Sequence, residues 1–268
     1  NFVPGENEQI LKNFNINHDT EFEPIWHALM WAVNPDFYYP IIGDETFKIK
    51  FPNSYDFLIS EYNRKYVLEY VGMLQNEQIN YSPNLFIRDP DYVPFEGKVK
   101  LPDIVYPYLQ QGYIRSGNDG RDSILILDAS IADGGHHHLD SLNIIYSKYG
   151  EEMLLDLGYL VDHPNSSFTE ATVAHQTCLI DGVDQKLNGR GGQFHLFDAT
   201  NEDTKVMQAS SRPYNSATVY QRTLIQMKHD TNDTKDYIVD IFRSNGGKKK
   251  RELVVYGPNN DYELNKKL

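Results

Sequence analysis

The stretch "GGHHHLDSLNI", Gly134 to Ile144, sets three histidines in a row with an aspartate two residues beyond, out of nine histidines in the whole chain. Imidazoles titrate near neutral pH and ligate metal ions, so this crowding points to proton transfer or metal binding. If Gly135 to Asp140 is extended, side chains alternate between faces. His136, His138 and Asp140 then share one face and His137 takes the other. Two histidines two apart on a strand can converge on one ion. Zinc takes about four N, O or S ligands, so the remainder must come from elsewhere in the chain.

The next segments offer candidates. "SLNIIYSKYGEEMLLDLGY" reads as a hairpin turning near Tyr149 and Gly150, and folding it back brings Asp156 to the level of Leu142 and Asn143. Asp156 stands in an otherwise apolar run, "MLLDLGY", where a buried carboxylate needs a metal or a histidinium as partner. "TVAHQTCLIDG" sets His175 in the middle of an apolar strand, where it needs a hydrogen bond or a metal. His18, His27, His163, His195 and His229 lack such company and read as structural or surface residues.

The elements that position these residues fall into two parts. Residues 1–95 read as a helical segment. "PIWHALMWAV" (Pro24 to Val33) begins with proline at a helix start, and "NSYDFLISEYNRKYVLEYVGML" places Leu58, Tyr62, Tyr66, Tyr70 and Leu74 at helical spacing behind an Asn53 or Ser54 cap. Two such helices make no domain of their own and look like the tail of a larger helical one. Pro83 to Gly97 is rich in Pro and Asp and reads as a linker or long loop. Residues 96–268 read as β. Runs such as "SILILDAS", "SLNIIYS", "GQFHLFDA", "KVMQASS", "ATVYQRTLIQM" and "DYIVDIFRS" are separated by turn residues, with no helical period between them. The fold class is therefore mainly β, a layered antiparallel β-sandwich preceded by a short α-helical segment. "KKKR" at Lys248 to Arg251 reads as a solvated turn.

Composition narrows the function classes. A net charge of −13 argues against a general nucleic-acid binder, but a polyanion remains acceptable where basic groups converge in a cleft. Nineteen tyrosines suit a sugar- or peptide-binding surface as well as strands. The one cysteine, Cys178, lies in an apolar run and reads as core, so no intrachain disulfide forms. No apolar stretch is long enough to span a bilayer.

Taken in order, these motifs resemble the heparinase II/III family of polysaccharide lyases. "YPIIGDET" (Tyr39 to Thr46) is similar to the segment that leaves the family's α/α-toroid, and "QGYIRSG" (Gln111 to Gly117) to its first sandwich strand. "GGHHHLDSLNI" resembles a Gly-His-x-His-x-Asp stretch, "AHQTCLIDGVDQ" (Ala174 to Gln185) an Ala-His-Asn-Thr…Asp-Gly stretch, and "DYIVDIFRSNGG" (Asp236 to Gly247) a later strand and turn. The resemblance implies an α/α-toroid followed by the sandwich, a mainly structural zinc ion held by His138, Asp156 and His175, and His136 facing the substrate cleft. It implies β-elimination on an acidic, uronate-containing polysaccharide and a periplasmic or secreted location. His136 would act as base or charge stabiliser, and Arg115 is a candidate contact for the anionic sugar. Gln176 stands where the family usually has Asn. The family's catalytic tyrosine, and its Asn or His that neutralises the substrate carboxylate, have no match in Asn1 to Tyr92. The chain thus looks like a fragment whose remaining catalytic groups lie in a missing toroid domain or a second chain, and a non-catalytic carbohydrate-binding or scaffold role is the alternative.

Two other families share part of the pattern. His136-x-His138-x-Asp140 also resembles the metal motif of metallo-β-lactamase-like hydrolases, which activate water between two zinc ions, but Ser141 follows the aspartate where that family has histidine. Cupins use His-x-His on a β-barrel, but their downstream Glu is replaced here by Leu142 and Asn143.

Overall fold

The computed structural model describes residues 28, 31–35, 38–45, 100–131, 135–160, 163–187, 190–229, 236–248 and 250–258. The chain divides into two compact units, one of Asn1–Val33 and Lys50–Val99, the other of Asn34–Ile49 and Lys100–Leu268. In the first unit Ala28 and Trp31 are helical, as the sequence suggests. Ala32 and Val33, its expected last residues, are already past the helix, while residues 24–27 and 29–30 and all of the predicted helix over residues 53–74 lie outside the described residues. The second unit takes in Asn34–Ile49 as well as Lys100–Leu268, so a segment expected to close the helical part belongs with the strands.

The second unit is built from antiparallel strands. Its first sheet has the order β1 (Ile104–Tyr106), β2 (Gln111–Ser116), β3 (Ser123–Asp128), β4 (Asn143–Lys148) and β5 (Glu151–Leu154). A second sheet runs β10 (Asp236–Gly246), β9 (Ala217–Lys228), β8 (Thr204–Arg212), β7 (Arg190–Asn201), and β6 (Cys178–Ile180) pairs with β11 (Arg251–Leu253). Sequential neighbours pair, joined by short turns at β1–β2 and β4–β5 but by the long loop that carries the histidines at β3–β4. The hairpin expected at Tyr149 and Gly150 is present, with φ of 50° and 79° at those two residues, the left-handed pair that a tight right-twisting hairpin requires.

Period-two burial fixes which faces meet. Along β8, Lys205, Met207, Ala209 and Ser211 point inward, and along β9, Tyr220, Arg222, Leu224 and Gln226 do so. Met207, Ala209, Tyr220 and Leu224 pack against Ile114, Leu125, Leu127 and Ile144 of the first sheet, with Phe194, Phe197 and Phe242 closing the rim. Every residue of β3 is buried, so this central strand is covered on both faces, while the edge strands β1 and β5 are half-buried or exposed.

Three local expectations are corrected. Gly135 to Asp140 is not a strand: Gly135 and His136 form a turn, Gly135 has φ +70°, and burial does not alternate, since His136 and His137 are exposed while His138 is buried. His175 does not sit within a strand but follows a 3-10 turn at Thr172–Ala174, itself preceded by a short helix α1 (Ser166–Glu170). Finally, the basic run is exposed at Lys248, Lys250 and Arg251, as a solvated turn is, but its last residue, Arg251, opens β11, because Lys248 and Lys250 fold their backbone N–H groups onto the Asp181 carboxylate and turn the chain back toward β6.

Candidate functional site

Three loops at one end of the first sheet bring His138, Asp156 and His175 together. One ligand-capable atom from each lies within 4.8 Å of the others, and all three residues are buried. Asn143 is the staple. It begins β4 after a turn closed by its own N–H on the Asp140 carbonyl. Its Nδ2 donates to Asp156 Oδ2 at 2.7 Å, and its Oδ1 accepts from the Gln176 N–H at 2.9 Å, next to His175. Gln176 extends the seam: its Nε2 donates to the Leu155 and Tyr256 carbonyls, and its Oε1 accepts from the Tyr256 N–H. From the opposite sheet, the buried Arg222 donates to the Leu142 and Gln176 carbonyls and pairs with Asp240.

The outer hydrogen bonds fix the state of each histidine. His175 Nδ1 lies 2.9 Å from the Ala171 carbonyl oxygen, which only accepts, so Nδ1 carries a proton and, in the neutral ring, Nε2 is bare. His138 Nε2 lies 3.1 Å from Asp44 Oδ1, which also accepts, so the proton sits there and Nδ1 is bare. These two bare nitrogens face each other at 3.3 Å, and Asp156 Oδ2 is 3.5 Å from His175 Nε2. With both rings neutral, three electron-pair donors converge there, and they repel unless a cation lies among them. Histidines that pass their other N–H to a carboxylate or carbonyl are what metal sites use to orient their ligands. The residues present therefore fit a divalent ion of the zinc type, with two nitrogens and one oxygen supplied by the protein. Burial, then the neighbouring His175, also lowers the pKa of His138, which favours the unprotonated, ligating ring.

Asp44 was not singled out by its sequence context, yet it joins this centre to the surface. Its second oxygen, Oδ2, lies 2.7 Å from Nδ1 of His136, whose side chain is 90% exposed. The Asp44 N–H also donates to the His136 carbonyl. The segment carrying Asp44 is threaded between the histidine loop and the Asp156 loop. Two glycines permit it: a Cβ at Gly43 would overlap the His136 carbonyl oxygen, and one at Gly158 the Glu45 carbonyl oxygen. Both glycines also hold positive φ.

His136 opens onto a cleft of about 510 Å³ lined by Ile42, Tyr108, Gln111, Asp128, His137 and Asp140, among others. With Nδ1–H held by Asp44, the neutral His136 ring keeps Nε2 bare. That is the arrangement of a general base oriented by a carboxylate. Asp128 and Asp140 are buried at the cleft wall, and burial pushes both carboxyls up; the Asp140 charge adds to the rise at Asp128.

Arg115 does not join the cleft, and the sugar contact expected of it is corrected. It is 1% exposed, its Nε donates to the Pro102 carbonyl, and burial lowers its pKa to about 10. Its place on β2 turns it into the protein, where it braces the segment before β1. Of the expected site residues the structure gathers His136, His138, Asp156 and His175. Sequence reading missed Asp44, Asn143, Gln176 as a brace, Arg222 and the Asp128–Asp140 pair. The only available signal was a polar residue bordering an apolar run, as in "IIGDE" and "SLNIIYS".

No curated protein matches the sequence. Among solved structures, the heparan sulfate lyase HepC from Pedobacter heparinus superposes with a TM-score of 0.60 at 18% identity, over 89% of this chain and 34% of that one. A heparinase III, the BT4657 gene product, gives a TM-score of 0.63 at 15% identity, again over 89% and 34%. A second heparinase III gives 0.53 at 12% identity, over 82% and 33%. The chain thus spans about a third of the length of these proteins, and the likeness is one of fold. Residues 105–264 match the model of the heparinase II/III-like C-terminal family, which covers the histidine loop, Asp156 and His175, and the chain belongs to that family.

Proposed function

We propose that this chain is the sandwich portion of a polysaccharide lyase that cleaves uronate-containing polysaccharide by β-elimination, with His136 as the base and a zinc ion held by His138, Asp156 and His175. The observation that carries the reading is the His136–Asp44 pair, which presents a bare imidazole nitrogen to an open cleft. In such a reaction the base takes the proton from C5 of the uronate. The electron pair forms the C4–C5 double bond, the bond to O4 breaks, and O4 leaves with a proton from an acid. The charge that develops on the uronate carboxyl needs neutralising groups nearby. The ion, when bound, supplies a positive centre that holds three loops together, and its ligands are buried away from the cleft mouth. Polymeric acidic substrates are met outside the cytoplasm, which favours a periplasmic or secreted site of action. No described helix is long and apolar enough to cross a membrane. The binuclear hydrolase alternative finds no support, since all three described sheets are antiparallel and the family is a different one.

A second reading is favoured by the limited coverage of the related enzymes: the chain is the carbohydrate-binding or scaffold part of a longer enzyme. One experiment separates the two. The chain is incubated with heparan sulfate and with alginate while the ultraviolet absorbance of unsaturated uronate ends is followed and retention on each immobilised polymer is measured. Product from the parent chain, abolished in His136→Ala, supports the lyase reading for the chain alone. Retention without product supports the scaffold reading. Neither product nor retention overturns both.

A further inference from the structure

Tyr108 is 99% exposed, the most exposed of the large apolar side chains among the described residues. It stands in the turn between β1 and β2, where Tyr106 pairs with Gln111, and it lines the same cleft as His136. The turn is held rigidly at its root. Gln110, at φ 60°, accepts at its carbonyl from the Ala129 N–H and at Oε1 from the Gly192 N–H, tying the turn to the end of β3 and the start of β7. Beneath it the Tyr106 and Tyr113 rings meet edge-on, and the Tyr113 hydroxyl donates to Gln111 Oε1. A ring placed wholly in water on a braced turn contributes nothing to the core. Its area is available to a ligand at low ordering cost.

We propose that Tyr108 is a stacking platform for a pyranose ring at the mouth of the cleft, adjacent to the sugar held at His136, an inference that rests on the lyase reading. A pyranose presents a face of polarised C–H groups, which sits favourably on the electron-rich face of an aromatic ring. The remaining lining supplies what a hydroxylated, acidic sugar needs: the exposed His136 and His137, together with Gln111 and Ser130. A protein partner is a poorer occupant. It needs roughly 1,000 Å² of buried surface, whereas the lip of this cleft offers one ring and Leu109 beside polar groups.

The test is calorimetric titration of the chain with hexasaccharides of heparan sulfate and of alginate, using the parent, Tyr108→Ala, Tyr108→Phe and Tyr108→Trp. The Ala variant should bind the preferred hexasaccharide about ten-fold more weakly, the size of one lost aromatic contact, and the Phe variant should stay within about two-fold of the parent. The Trp variant should bind at least as tightly, with a blue shift of its emission on titration. Because the side chain is exposed, all four should melt together. Equal binding by the Ala variant and the parent overturns the platform and leaves the lyase reading intact. Equal losses in Ala and Phe overturn stacking in favour of a hydroxyl contact. A parent that binds neither hexasaccharide overturns the lyase reading and the platform with it.

Discussion

His136 and His138 lie two residues apart and reach opposite oxygens of Asp44, yet one side chain is 90% exposed and the other 0%. On the buried side every outer position is occupied. Asn143, Gln176, Ala171 and Arg222 hold the three loops, and each histidine has one nitrogen committed to a fixed acceptor. On the cleft side one bond to Asp44 orients His136 and the rest of its ring faces solvent. A carboxylate thus serves two neighbourhoods that differ in water access. The inner one is closed to a polymer and suited to an ion. The outer one is open to a polymer and, among the described residues, offers no comparable set of buried ligands. Stability should follow the first and chemistry the second.

The largest effect should come from Arg222, which tests whether the buried side carries the stability. Arg222→Gln removes donors from the Leu142 and Gln176 carbonyls and leaves Asp240 without its partner. Arg222 is buried while Asp240 is 23% exposed, so the loss comes chiefly from the two orphaned carbonyls, at about 1–3 kcal/mol for each buried group left unpaired, and the midpoint of denaturant unfolding should fall accordingly. An unchanged midpoint would show that the loops hold without the clamp.

Metal removal comes next. The parent should carry one zinc per chain, and His138→Ala or His175→Ala should carry little, with a lowered melting temperature that a chelator reproduces in the parent. At zinc a hundred-fold above its Kd, the linked stability is about 2.7 kcal/mol. His136→Ala should keep both the ion and the melting temperature, since its ring is exposed. If His136→Ala lost zinc as readily as His138→Ala, the division between the two sides would fail. Two zinc ions per chain would also break it, by making the cleft histidines ligands.

Asp44→Asn should touch both sides at once and less strongly. The buried His138 loses a charged acceptor, for which the order of magnitude is about 10- to 100-fold in metal affinity and about 1–3 kcal/mol in stability. His136 loses the charge that orients it, so any lyase activity should fall at an unchanged protein fold. Zinc affinity measured by competition with a chelating dye checks the inner effect. A variant with parent-like affinity would mean that Asp44 serves the cleft alone.

Much of this arrangement was legible in the sequence, and the parts that were not share a cause. The strands announced themselves because one face of each is buried, as at Met207, Ala209, Tyr220 and Leu224. The hairpin that returns Asp156 to Asn143 followed from Tyr149-Gly150 and the runs flanking it. His138 drew attention as part of a run of three histidines, and Asp156 and His175 because a polar group in an apolar setting needs a partner. The reading failed where distance along the chain is large. Asp44 lies 92 residues before His136, and Arg222 reaches Gln176 across 46, contacts that no local period encodes. It also failed where loop geometry replaced a repeating pattern, as at Gly135 to Asp140 and at the 3-10 turn before His175. Arg115 misled because an arginine on a strand reads as outward-facing, whereas its strand is covered on both faces.

The smallest effect should appear at Asp128, which lines the cleft yet is buried like the ion site. Burial pushes its carboxyl up to about 7, and the neighbouring Asp140 adds to the rise. The folded chain then binds a proton there that the unfolded chain has released, over the range from the ordinary carboxylate pKa of about 4 to about 7. The linked stability is fully present below that range, declines as pH rises through it, and is gone once pH passes the folded value. Asp128→Asn stays neutral throughout. The stability of the parent relative to the variant should therefore fall by on the order of 1 kcal/mol between about pH 6 and pH 8 and level off above. Taking the difference between the two proteins cancels the titration of shared groups remote from Asp128, while the neighbouring Asp140, raised to about 6, adds its own change in the same range. A difference that does not change with pH would show Asp128 ionised throughout, and would put the cleft wall on the solvated side of the division that Asp44 marks.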